Sequence, residues 1–131
     1  MPLLKIHIHQ GHEQEYIKRL LDAAHSTVVE AFSVPQTDRY QLLLQYEPGH
    51  MRALDTGFSF NRTDQFTLFE IISRPRLTAQ KRLFFRRLCE ELQSACGIAP
   101  SDVMICFVEN TDIDWSFGGG VPQFVPDEQS A

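Results

Sequence analysis

An internal duplication constrains the fold of this chain more than any other feature of its sequence. Residues of similar character recur 64 positions apart through two segments, about 2–46 and 66–110. Each segment has an apolar run, an amphipathic stretch and a second apolar run, which predicts a strand, a helix and a strand. The matching pairs are Ile8 and Ile72, Leu20 and Phe84, Ala31 and Ala95, Val34 and Ile98, and Asp38 and Asp102.

The two amphipathic stretches are predicted to be helices, over Glu13–Phe32 and Leu77–Cys96. Apolar residues of the first fall at spacings of three, four and seven, so they share one helix face. The four apolar runs LLKIHIHQ, YQLLLQY, QFTLFEII and VMICFVEN predict strands. Two strand–helix–strand units in one chain predict an α/β (α+β) fold. The crossover in each unit is expected to be right-handed, as in nearly all proteins. In this fold, duplicated β-α-β units form a four-stranded mixed sheet with both helices on one face.

The second face of this sheet is also expected to be buried. The runs QLLLQY and VMICFV are almost continuously apolar, as in strands that are buried on both sides. Two helices cover only one face, so we expect other copies of the chain to cover the second in a closed homo-oligomer. This second face is predicted to be lined by Leu42, Leu44, Phe69 and Cys106 or by their immediate strand neighbours.

Length and composition argue against several classes of function. A chain of 131 residues suits one domain, 1–131, and its net charge of −5 without a basic tail argues against binding to nucleic acid. No apolar run is long enough to span a membrane, and the N-terminus does not resemble a signal peptide. Three cysteines, an odd number, are expected to be free buried thiols, which favours a cytoplasmic location. They are Cys89, Cys96 and Cys106.

The remaining segment, 111–131, carries aromatic residues on a glycine-rich loop. We predict that it folds as a hairpin or reaches onto a neighbouring subunit. Its aromatic residues are candidates for the wall of a pocket, and they are Trp115, Phe117 and Phe124.

Pro2 directly precedes the first predicted strand, and two interpretations are open. Proline is tolerated at the first residue of a strand, where it needs no ladder hydrogen bond. Alternatively, Pro2 becomes the N-terminus when Met1 is removed, and its ring nitrogen is then a titratable secondary amine.

Two arginine residues mark a second candidate functional position. Arg74 and Arg76 flank Pro75 between a strand and a helix, and residues two apart in an extended segment point the same way. Two converging guanidinium groups would bind a carboxylate through paired hydrogen bonds. The alternative is a pair of surface arginines. Asp38 lies just before the second strand, where its local context favours a turn residue.

The histidines His7, His9 and His12 lie close together in HIHQGH. A metal site is conceivable, but no nearby carboxylate or cysteine completes a ligand set. We therefore expect a polar strand edge, and no metal or other cofactor.

Taken together, these features resemble the tautomerase superfamily, and within it the malonate semialdehyde decarboxylase branch. The resemblance rests on MPLLK, LLDAAH, DRYQ, DTG, SRPR, AQK, CGI, DV and VENTDIDWSFG in this order, and it covers essentially the whole chain. It implies a trimer like that of macrophage migration inhibitory factor, with an active site around each N-terminal proline. It further implies that Pro2, Asp38, Arg74 and Arg76 are catalytic, that both arginines bind the substrate carboxylate, and that the three aromatic residues form a hydrophobic wall.

The activity implied is cofactor-independent decarboxylation of a small β-oxo acid such as malonate semialdehyde, to acetaldehyde and CO2. The partners expected are this oxo acid and two further copies of the chain. A keto-enol tautomerase or a hydratase of unsaturated oxo acids is the first alternative, with a neutral Pro2 as the base. The second is a non-catalytic trimer that binds a carboxylate.

Overall fold

The structure, a computed structural model, describes residues 1–125 of the chain. Four strands and two long helices alternate as the duplication predicts. In chain order they are β1 (Leu3–His9), α1 (Gln14–Phe32), β2 (Tyr40–Tyr46), β3 (Thr67–Ser73), α2 (Thr78–Cys96) and β4 (Val103–Glu109). Short 3-10 turns at Pro100–Asp102 and Asp112–Asp114 flank β4.

The strands form one mixed sheet in the order β2-β1-β3-β4. Strand β1 runs parallel to β2 and antiparallel to β3, and β3 runs parallel to β4. Both helices pack against each other and against the same side of the sheet. The predicted four-stranded mixed sheet with two helices on one face is confirmed.

The core lies between the sheet and the helices. Strand β1 contributes Leu4, Ile6 and Ile8, each at most 2% exposed. Burial of one such aliphatic side chain contributes roughly 1.5–3 kcal/mol. The helices contribute buried residues along the faces expected from their periodicity, which are Ile17, Leu20, Ala24, Val28 and Ala31 in α1 and Phe84, Leu88 and Leu92 in α2.

The opposite face of the sheet, hereafter the open face, corrects two expectations. Phe69 is fully buried against the helices, so it does not line the open face, whereas Leu42 and Cys106 do and are exposed. Ile8 also faces the helices, but Ile72 pairs with Leu3 on the open face. The matching of Ile8 with Ile72 is therefore wrong with respect to side-chain direction, although the helices keep the offset of 64.

The prediction for the cysteines also needs correction. All three are free, but Cys89 and Cys96 are only half-buried and Cys106 is exposed on the open face. The hairpin prediction is wrong for residues 111–125, where the chain forms a 3-10 turn and irregular turns without a strand. Residues 126–131 of that prediction lie outside the described residues. No helix between residues 1 and 125 is long and apolar enough to cross a membrane.

Candidate functional site

The topology brings four predicted site residues to one end of the sheet. Pro2 is buried and immediately precedes β1, and Asp38 lies two residues before β2, which is parallel to β1. Strand β3 is antiparallel to β1, so its final residues and the arginines that follow arrive at the same end. Arg74 and Arg76 follow β3 directly and are half-buried.

The N-terminal amine lies beside a buried carboxylate. The amine of Met1 is 3.7 Å from Oδ2 of Asp38, whose side chain is 8% exposed. Burial and the positive charge of Arg76 lower the pKa of this amine from 8.0 to about 6. Asp38 opposes this change and Arg74 adds to it. Burial and the two arginines therefore make an amine at this end of the sheet lose its proton more easily than in water.

Arg76 is held from two sides. Its Nε donates to Oγ of Ser73 at 3.0 Å, and its guanidinium carbon lies 5.0 Å from the ring centroid of Phe32. Burial, together with the neighbouring Arg74, lowers the pKa of Arg76. A guanidinium remains charged at neutral pH in spite of such a shift, so Arg76 is a fixed positive charge at this position.

Arg74 is held by the segment that follows β4. Its Nη1 donates to Oδ1 of Asp112 at 3.0 Å, and its guanidinium carbon lies 3.9 Å from the ring centroid of Phe124. This cation–π contact and the ion pair position Arg74 without occupying all of its donors.

Three buried polar atoms at this end of the sheet lack hydrogen-bond partners. They are Nε of Arg74, Nη2 of Arg76 and Oδ2 of Asp38. Buried polar groups are normally paired, because an unpaired one costs about 1–3 kcal/mol. Two unpaired guanidinium donors match the acceptors of a carboxylate, and the free oxygen of Asp38 matches a protonated amine. The arrangement is suited to bind a small anion beside the N-terminus.

The three predicted aromatic residues do form one cluster. The rings of Trp115 and Phe117 are stacked 5.4 Å apart, and Phe117 meets Phe124 edge to face at 5.2 Å. Because Arg74 lies on Phe124, this cluster adjoins the arginines. It gives the site an apolar side.

Two family models, both described as tautomerase enzyme, match residues 38–118 and residues 2–61. The probable tautomerase YrdN of Bacillus subtilis is 46% identical over 125 residues, which cover 95% of this chain and 97% of the relative. The chain belongs to the tautomerase family. A second probable tautomerase of the same organism, YusQ, is 29% identical and is covered over 99% of its length by 95% of this chain.

This tautomerase-family chain is also similar to proteins of known structure. A malonate semialdehyde decarboxylase, described with decarboxylase and hydratase activities, is 47% identical with a TM-score of 0.91, over 93% of this chain and 95% of that one. A fused 4-OT that forms a symmetric trimer is 20% identical with a TM-score of 0.75, over 92% and 94%. The second similarity shows the fold alone.

The opposite end of the sheet, which carries the matching residues of the other repeat, differs from the candidate site in its hydrogen bonds. Asp102, the counterpart of Asp38, is fully buried and accepts hydrogen bonds from the backbone N–H of Thr63, at 2.8 Å, and from its hydroxyl. Arg62 adds a further hydrogen bond at this end, with Nη1 donating to the carbonyl of Ser101 at 2.6 Å. Of the two aspartates only Asp38 has a buried oxygen without a hydrogen-bond partner, so the two ends of the sheet differ in the polar groups that they leave unpaired.

Sequence reasoning missed several residues that support the site. Phe32, Ser73 and Asp112 contact the arginines, and Tyr40 packs against Phe117 with ring centroids 5.8 Å apart. Asn110 accepts a hydrogen bond from Nε1 of Trp115 at 2.7 Å. Ser73, Asn110 and Asp112 lie within the quoted motifs SRPR and VENTDIDWSFG, but their type and spacing alone gave no signal for these contacts.

The histidines have other partners. Nε2 of His7 lies 2.5 Å from Oε1 of Glu70, and Nδ1 lies 2.5 Å from the hydroxyl of Tyr46 on the open face. His12 stacks on Tyr16 with ring centroids 4.1 Å apart. Across residues 1–125, no group of three or more His, Cys, Asp or Glu side chains is placed to hold a metal ion.

Proposed function

We propose that this chain decarboxylates a small β-oxo acid such as malonate semialdehyde, with the amine of Pro2 exposed by removal of Met1. The observation that carries the proposal is the group of buried, unpartnered atoms of Arg74, Arg76 and Asp38 around the N-terminus. The 47% identity to a malonate semialdehyde decarboxylase supports the choice of substrate.

The arginines would bind the carboxylate and orient it. Loss of CO2 is fastest when the breaking bond is aligned with the carbonyl π system, and a carboxylate held by two guanidinium groups can be fixed in that alignment. Tight pairing alone would stabilise the ground state, so the contribution of the arginines to the rate is orientation rather than charge. The apolar cluster of Trp115, Phe117 and Phe124 would exclude water and favour release of neutral CO2.

Pro2 would stabilise the charge that develops on the carbonyl oxygen. When CO2 leaves, its bonding electrons form an enolate that a protonated amine stabilises, and protonation at carbon then gives acetaldehyde. If Pro2 has first condensed with the aldehyde to an iminium with loss of water, the electrons form a neutral enamine instead; protonation at carbon returns an iminium, which water hydrolyses to acetaldehyde and the free amine. In the free protein the surroundings lower the pKa of the terminal amine. A bound carboxylate would offset the charge of both arginines and, with Asp38, favour the protonated amine.

A second candidate function is keto-enol tautomerisation, or hydration of an unsaturated oxo acid, with neutral Pro2 as the base. The burial and the arginines that lower the pKa of the Met1 amine would act on the amine of Pro2 in the same way, which favours this function because a neutral amine is the basic form. The curated relatives, which are described as probable tautomerases, also support it.

We further propose that the protein works as a homotrimer. The open face exposes apolar side chains that the helices do not cover, including Leu42, Met104 and Val108. The trimeric 4-OT of the same fold supports this assembly.

A substrate panel followed by proton NMR tests the proposed function. The panel contains malonate semialdehyde, the enol of phenylpyruvate and an unsaturated oxo acid, and intact mass establishes whether Met1 is absent. We expect acetaldehyde from malonate semialdehyde as the fastest reaction. A matched protein with an uncleaved N-terminal extension should be folded and inactive, because its Pro2 nitrogen is an amide. If ketonisation or hydration is faster than decarboxylation, the second candidate function is the correct one. Full activity of the extended protein would refute the role of Pro2.

A further inference from the structure

Ser73, the last residue of β3, has a fully buried hydroxyl between the two arginines of the site. Its Oγ donates to the carbonyl oxygen of Arg74 at 2.8 Å and accepts from Nε of Arg76 at 3.0 Å. A guanidinium can only donate and a carbonyl can only accept, so both roles of the hydroxyl are fixed. A hydroxyl is the smallest side-chain group that can do both at once.

The bond to Nε determines how the guanidinium of Arg76 is turned. Because the group is planar, fixing Nε limits rotation about the end of the side chain and sets the direction of the remaining N–H donors. The ring of Phe32 lies 5.0 Å from the guanidinium carbon and restrains the group further. With Nε engaged, Nη2 remains as a buried nitrogen without a partner.

The backbone of Ser73 is anchored independently of its hydroxyl. Its carbonyl oxygen accepts a hydrogen bond from the backbone N–H of Asn110 at 2.9 Å. Asn110 in turn accepts from Nε1 of Trp115 at 2.7 Å. Removal of the hydroxyl alone therefore leaves the bond that joins β3 to the segment carrying the aromatic cluster.

We propose that Ser73 is a positioning residue, whose hydroxyl directs the unpaired donor of Arg76 toward the carboxylate of the substrate. The inference rests on the proposed function for the identity of that carboxylate. Ser73 does not itself contact the reacting atoms. It acts through Arg76 by holding the guanidinium in its binding orientation before the ligand arrives, and such preorganisation increases affinity.

The test compares Ser73→Ala with Ser73→Thr and with the control Thr67→Val. Thr67 is at the opposite end of β3, is fully buried, and donates from Oγ1 to the carbonyl of Gln65 at 3.0 Å. Thr67→Val thus removes a buried hydroxyl from the same strand without touching the arginines. Binding of malonate, an unreactive dicarboxylate, is measured by calorimetry, and kcat and KM are measured on malonate semialdehyde.

We expect Ser73→Ala to weaken malonate binding about tenfold and to raise KM more than it lowers kcat. Ser73→Thr should restore binding to within about threefold, and Thr67→Val should bind as the unaltered protein does. In an Arg76→Lys background, which lacks the planar fork, Ser73→Ala should have no further effect, because the two residues act as one unit.

Equal malonate binding by Ser73→Ala and the unaltered protein would overturn the positioning role. So would an undiminished loss in the Arg76→Lys background, which would mean that Ser73 acts on stability rather than through Arg76. If malonate binding depends on Ser73 as expected but malonate semialdehyde is not turned over, the positioning role stands and the proposed reaction fails.

Discussion

Asp38 and Asp102 occupy matching positions in the two repeats, but only Asp102 has both of its carboxylate oxygens hydrogen-bonded. Thr63 supplies both donors to Asp102, whereas the Oδ2 of Asp38 is buried without a hydrogen-bond partner and lies 3.7 Å from the terminal amine. The same residue type in the same local context therefore serves stability at one end of the sheet and is available for chemistry at the other.

The two aspartates should respond oppositely to removal of charge. Asp102→Asn loses charge-assisted hydrogen bonds and should lower the free energy of unfolding by about 1.5–3 kcal/mol, with activity retained below the melting temperature. Asp38→Asn should leave the free energy of unfolding nearly unchanged and abolish most activity. Urea unfolding and steady-state kinetics on both variants check this. A similar stability loss in both would mean that Asp38 is a structural residue.

Arg76→Ala should lose most activity on any oxo acid and keep its fold and oligomeric state. Hydrogen bonds to charged groups contribute about 1.5–3 kcal/mol, so we expect kcat/KM to fall roughly 10- to 150-fold. Arg86→Ala is the control, because Arg86 is an exposed arginine on α2 that pairs with Glu90. Near-normal turnover by Arg76→Ala would show that the carboxylate binds elsewhere.

The pH dependence distinguishes an acidic from a basic Pro2. If protonated Pro2 stabilises the enolate, kcat/KM falls as pH rises through the amine pKa of the free protein. Burial and the two arginines lower the pKa of the Met1 amine at this position, and they should likewise place the pKa of the Pro2 amine below the usual 7.7–8.0 or so of an α-amine. The bound carboxylate raises the amine pKa, so kcat should stay constant to a higher pH than kcat/KM. Nitrogen NMR of Pro2, with and without malonate, measures both pKa values directly. Rates that climb with deprotonation would identify Pro2 as a base.

Leu42→Glu should dissociate the proposed trimer. Leu42 is 51% exposed on the open face of one protomer, and a charge buried there between copies would be unpaired. Leu77→Glu is the control, since Leu77 is 69% exposed at the start of α2, away from the open face. Sedimentation equilibrium should give a trimer for the unaltered chain and for Leu77→Glu. A stable folded monomer of the unaltered chain at micromolar concentration would contradict the trimer.

The periodicity of the sequence was enough to predict the helices and strands, but not every side-chain direction. Strand β3 overlaps the run QFTLFEII, where apolar residues occupy both faces, so alternation does not reveal that Phe69 points to the helices. The tail was predicted to fold as a hairpin or to reach onto a neighbouring subunit. In residues 111–125 the chain instead forms irregular turns, held by side-chain bonds such as that of Trp115 to Asn110.

The site was predicted in its main residues, although not in the contacts that hold them. Local context could not separate Asp38 from Asp102, because the difference is Thr63, which is distant in sequence from Asp102. For the same reason Phe32 gave no signal, since it reaches Arg76 only after α1 has packed on the sheet. Long-range packing, rather than local pattern, determines which polar atoms remain unpaired.

The hydrogen bonds of Arg62, Thr63 and Asp102 bear on the number of ligands that the protein binds. Two repeats could in principle carry two sites in each chain, but Thr63 already donates to both carboxylate oxygens of Asp102, and Arg62 donates to the carbonyl of Ser101. We therefore expect each chain to bind one small carboxylate, and an assembly of three chains to bind three rather than six.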